Sequence, residues 1–78
     1  MIVTVNFNIN RKRAGINRKP VWCHENHTLD IELLPTMSWD EVHAATSAAL
    51  KQRCERAYPG WAITGWTYPE AFMKLMPK

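Results

Sequence analysis

The run Cys23-His24-Glu25-Asn26-His27 holds the side-chain types that bind zinc or activate a nucleophile, and His43 and Cys54 add a third histidine and a second thiol farther along. Spacing decides what they can do. A zinc-protease helix needs two histidines four apart around its glutamate, whereas His24 and His27 are three apart in a segment that reads as strand or turn. A structural zinc site needs two close ligand pairs. Here the only tight group is Cys23, His24 and His27, and neighbouring residues of a strand face opposite ways. A cysteine nucleophile needs a histidine beside it in space, a condition that two cysteines and three histidines meet too easily to be informative. Free, inert thiols in a reducing compartment are the expectation for both, Cys54 above all. The carboxylate pairs Asp30/Glu32 and Asp40/Glu41 have plain explanations in a solvated strand face and a helix start. No nucleophile elbow, phosphate-cradling glycine loop or cofactor motif occurs, and the three glycines are isolated. The chain therefore reads as non-enzymatic, with no metal and no cofactor.

Binding chemistry has better support. Arg11, Lys12, Arg13, Arg18 and Lys19 concentrate five positive charges in nine residues, joined to strands that carry aromatic side chains. Arginine grips phosphate with two hydrogen bonds, and an exposed Trp66 or Trp22 would stack a base. A long surface loop kept soluble by charge has the same composition, and Lys51, Arg53 and Arg56 extend the patch only with Glu55 diluting it. The reading is a binding module that engages an acidic partner through a basic hairpin loop, nucleic acid ranking ahead of an acidic protein surface. The alternative is a small protein-binding inhibitor or regulator, in the style of phage or mobile-element proteins, acting on a host protein or a nucleic-acid-handling complex. Its contact residues would be Trp22, Phe72, Met73 and Met76, since surplus tryptophans and a sticky tail suit a protein that covers another.

These residues need elements to hold them. Val3, Val5, Phe7 and Ile9 alternate with Thr4, Asn6, Asn8 and Asn10, the period of a half-buried strand. Residues 11–19 lack periodicity and contain Gly15 and Asn17, so they read as a basic hairpin loop ending at Pro20. A second strand starts at Val21. Leu29, Ile31 and Leu33 alternate again, with a turn at Glu25-Asn26 leaving open one bent strand or two short ones. Ser38 with Glu41 forms a capping box, and Met37 with Val42 a hydrophobic staple, so a helix starts there. Its apolar stripe is Trp39, Val42, Thr46, Ala49, Leu50 and Ala57, with Ala45 at the edge and Arg53 inside it. Pro59 and Gly60 end the helix near Tyr58. Residues 61–67 form another strand, on which Trp61 and Trp66 share a face only if a bulge falls at Gly65. Thr67 and Glu70 repeat the capping-box spacing before a short closing helix that reaches about Met76.

The expected fold class is α+β in two layers. A mostly antiparallel sheet of three or four strands is covered by one main helix, in the order β-β(-β)-α-β with a short C-terminal helix. A right-handed crossover through the helix places the last strand beside the first. With 78 residues, 46% hydrophobic and 22% charged, the chain is one small globular domain spanning 1–78. A domain this short buries only about 60% of its unfolded surface, so association, including with a second copy, would add stability. Four tryptophans exceed what so small a core holds easily. The net charge of +3 is polarised, with cations in residues 1–27 and only acids in 28–45. No export signal and no apolar run of about 18 residues is visible, so a cytoplasmic, non-membrane protein is expected.

Overall fold

The computed structural model describes residues 1–14 and 20–76. Five elements follow in order: β1 (Ile2–Ala14), β2 (Pro20–Glu32), α1 (Trp39–Ala57), β3 (Ala62–Thr67) and α2 (Glu70–Leu75). The sheet is antiparallel with strand order β2-β1-β3, so β1 is central and the path from β2 to β3 crosses it through α1. This is the α+β arrangement that the alternation, caps and crossover argument require.

One expectation about the strands is corrected and one open alternative is resolved. Arg11, Lys12 and Arg13 are not loop residues: β1 runs on through Ala14, pairing Arg11 with Cys23, Lys12 with Trp22, Arg13 with Val21 and Ala14 with Pro20. Apolar alternation records burial of one face, and beyond Ile9 no element covers either face, so pairing continues while the pattern stops. Second, β2 is one uninterrupted strand through Glu25 and Asn26, which makes the sheet three-stranded. Since β3 reaches only the stretch Asn6 to Asn10 of β1, the four β1–β2 pairs beyond Asn10 form a two-stranded arm about 14 Å long at strand rise. The radius of gyration is 15.0 Å and the long axis 51 Å. A compact chain of this length would have a radius near 11.5 Å, and the arm accounts for elongation in this direction.

Helix α1 begins as its signals require. Glu41 N donates to Ser38 Oγ (3.2 Å), and Glu41 Oε1 accepts from the Ser38 amide (3.5 Å), completing the capping box. Met37 packs in the same cluster as Val42. Tyr58 is the C-cap, and Gly60 takes φ +85°, a left-handed conformation that glycine adopts without strain. The buried row is Val42, Thr46, Leu50 and Cys54, one ridge of residues four apart laid on a twisted sheet. Trp39, Arg53 and Ala57, expected within the stripe, are exposed because a single ridge is narrower than the wheel suggests.

The core has two clusters. Val3, Val5, Ile31, Leu33, Val42, Phe72 and Met76 form one; Phe7, Ile9, Leu50 and Cys54 form the other; Leu29 and Trp66 pack against both. Between them runs a polar chain in which Trp66 Nε1 donates to Tyr68 Oη (3.0 Å), and Tyr68 Oη donates to the buried Thr46 Oγ1 (3.0 Å). The register of β3 shifts between Asn8 and Ile9, so Thr64 is the extra residue beside Gly65. That bulge brings Trp61 and Trp66 to the same, helix-covered face, where a regular strand would have set residues five apart on opposite faces. None of the four tryptophans is fully buried.

Helix α2 is docked, and the Thr67/Glu70 capping box does not form. Thr67 is still paired with Asn6 as the end of β3, and the N-cap is Pro69, with no side-chain bond. Phe72 (1% exposed) and Met76 (4%) lie in the core beside Val3 and Val5, where β3 gives no cover. The expected interface at Phe72 and Met76 is corrected by their burial, while Met73 at 51% exposure remains on the surface. Phe72→Ala is expected to lower stability by about 3–5 kcal/mol in urea denaturation, and Met73→Ala by under about 0.5 kcal/mol. Equal midpoints for the two variants would mean that α2 is not docked.

Candidate nucleic-acid interface

Strand parity assigns each arm residue to a face. Arg11 and Arg13 continue the row Val3, Val5, Phe7 and Ile9 and so point to the helix side. Lys12 continues Thr4, Asn6, Asn8 and Asn10 on the open side, with Trp22 directly across from it. Trp22 is 54% exposed. The arm thus shows cations on both faces and an accessible indole on one. Arg18 and Lys19, also assigned to this site, lie outside the described residues.

Trp66 is not part of this arrangement. It pairs with Phe7 on the helix-covered face, is half-buried, donates to Tyr68 and lies 5.0 Å from the His43 ring. Trp22 is the aromatic that the fold brings to the basic residues. Lys51, Arg53 and Arg56 are exposed on α1; the last two line a hollow of about 360 Å³ with Leu29, Asp30, Ala49 and Gln52. They do not sit on the arm.

Where the arm leaves the body, a polar clasp holds it. The Glu25 carboxylate accepts from His27 Nε2 (2.9 Å), which leaves Nδ1 to accept from the Tyr58 hydroxyl (3.1 Å). The His27 and Tyr58 rings stack at 4.4 Å, and Phe7 lies 5.9 Å from His27. This joins the C-cap of α1 to β2 one row below Glu25, so the direction of the arm is set by the helix. The reading of isolated residues missed the clasp; the odd-numbered parity of Glu25, His27 and Leu29 was the available signal. Just above it, Arg11, Arg13, Cys23, Glu25 and Trp61 line a hollow of about 200 Å³.

The same parity separates the metal-type residues. Cys23 and His27 are on the helix side and His24 on the open side, and among the described residues no group of three or more His, Cys, Asp or Glu could hold a metal ion. Burial pushes the Cys54 thiol above its ordinary pKa, so the folded chain holds that proton more tightly than the unfolded one. Its contribution to stability is full below the unfolded pKa and is lost as pH rises through the folded value. Cys23 is only half-buried. In a thiol titration at neutral pH, Cys23 should react in the native protein and Cys54 only after denaturant is added; two equally fast thiols would contradict the burial of Cys54.

No helix of the described residues is long and apolar enough to cross a membrane. Comparison with protein-family models, with curated proteins and with solved structures finds no match for this chain.

Proposed function

We propose that the chain is a nucleic-acid-binding module whose grip is the β1–β2 arm. The observation that carries this reading is the register itself: Arg11, Lys12 and Arg13 stand on a paired ribbon that projects beyond the body. A two-stranded ribbon fits a duplex groove, and cations on both of its faces suit a partner with phosphates along each wall. Trp22 opposite Lys12 supplies an apolar plate beside the charge. The clasp at His27 and Tyr58 supports a rigid arm, which loses less conformational freedom on binding than a flexible loop.

Anisotropy titrations on mixed-sequence duplex DNA at several salt concentrations test it. Log affinity should fall linearly with log salt, and replacing Arg11, Lys12 and Arg13 together by alanine should make the slope shallower by roughly 2.7, about 0.9 for each lost phosphate contact. No binding at low salt, or an unchanged slope in the triple variant, refutes the arm as the grip.

The second reading, a small inhibitor or regulator that covers another protein, draws on a different feature. β2 is an edge strand of 13 residues with Val21 and Trp22 exposed, and Met73 and Leu75 are exposed on α2. An open edge is a template for another chain's strand. A partner captured from lysate that survives nuclease and is lost in Trp22→Ala favours this reading; one that vanishes with nuclease excludes it.

A further inference from the structure

The side of the sheet away from α1 is uncovered, and its composition is unusual. Register places its residues in cross-strand rows: Lys12 with Trp22; Asn10 with His24 and Ala62; Asn8 with Asn26 and Gly65; Asn6 with Thr28 and Thr67; Thr4 with Asp30; Ile2 with Glu32. Four asparagines lie together on one face of two strands. Asparagine is among the residues that strands disfavour, and threonine would keep such a face soluble while suiting the pleat. Their recurrence here works against the local structure, which points to a use for the amides.

Three further observations say what that use is. Asn6, Asn8 and Asn26 are exposed and Asn10 half-exposed, and among the described residues none of these side chains hydrogen-bonds within the chain, whereas Thr4 and Asp30 bond each other. Donors and acceptors on a flat surface of short side chains are left free. Apart from His24 beside Asn10, the three central rows hold no aromatic side chain, so they offer unpaired bases little stacking platform. Charge runs along the face, with Lys12 at the arm end and Asp30 and Glu32 at the far end, so a polyanion would settle over the arm half. Arg11 and Arg13 are on the reverse of the ribbon, yet within about one Debye length of that surface, and add to its potential.

We infer that this open face reads base edges in the major groove of duplex DNA, with Asn8, Asn10 and Asn26 directed to adenine. The inference rests on the nucleic-acid reading of the arm. An asparagine amide matches the N6 donor and N7 acceptor of adenine, a pair displayed in the major groove. Strands about 4.8 Å apart place a sheet of this width within a groove about 12 Å across, while the deep, narrow major groove of duplex RNA would exclude it. Gly65 beside Asn8 has no side chain to hold the backbone away.

Selection from random-sequence duplexes, followed by anisotropy titration of the selected and scrambled sequences, tests the inference. The selected pool should be enriched in A·T pairs and bind about tenfold or more tightly than the scrambled duplex, with 7-deazaadenine, which lacks the N7 acceptor, lowering that preference. The variant Asn8→Thr/Asn26→Thr should lose the preference while keeping the salt slope, and its urea midpoint should not fall, because threonine favours strands. Salt-dependent, arm-dependent binding with selected and scrambled duplexes within about twofold overturns the inference and leaves the arm's role standing. So does a preference that survives both threonine substitutions. Absence of binding to any nucleic acid at low salt overturns both.

Discussion

Everything in this molecule follows from the pairing of β1 with its two neighbours. Side chains on a strand alternate with a period of two, so the pairing of β1 assigns every residue of the sheet to one side or the other. A slip of one residue would carry Val3, Val5, Phe7 and Ile9 into water and the asparagines into the core. The buried row of four apolar residues makes that slip costly, at roughly 1.5–3 kcal/mol for each large side chain exposed. Correct register then extends past Ile9 without further burial, because backbone hydrogen bonds continue to pair the strands. The arm is a consequence of the core.

The rest of the fold completes what β1 begins. β3 reaches only the middle of β1, and its bulge at Thr64 and Gly65 turns Trp61 inward beside Ile63. The part of β1 that β3 leaves bare, near Val3 and Val5, is covered by Phe72 of α2 and by Met76, its C-cap. Helix α1 spans both core clusters with small side chains, Ala45 and Ala49, at its margins. Its C-cap residue Tyr58 bonds Cys54 O through its backbone amide and His27 through its hydroxyl, so one residue both closes the helix and holds the base of the arm. With so few elements, each covers a surface that no other element could.

Charge and shape then divide labour along the long axis. The apolar body lies at one end, where Asp30, Glu32, Asp40 and Glu41 gather and the acids at the start of α1 meet its dipole. Arg11, Lys12 and Arg13 stand on the arm, away from those acids, while Arg53 and Arg56 of α1 lie beside Asp30. On the proposed function a polyanion would settle on the arm, and the amide-rich rows of the open face lie between the arm and the acidic end. Affinity and base recognition would then fall to different residues of the same strands: arm cations for phosphate, short amides for base edges.

Much of this was legible in the residues. The alternation of β1, the box at Ser38 and Glu41, and the stop at Pro59 and Gly60 are local signals, because each depends on neighbours a few positions away. What depends on distant neighbours was not legible. Arg11 to Arg13 read as loop since an unburied strand leaves no apolar period, and only pairing with residues 20–23 makes them an arm. Thr67 read as a cap since nothing in its own segment shows that Asn6 already holds it in a strand. Trp66 and Trp22 are equal candidates in a sequence; the register puts one in the core and the other beside Lys12. Composition and period determine which residues want a face, but which face is covered is a property of the packed chain.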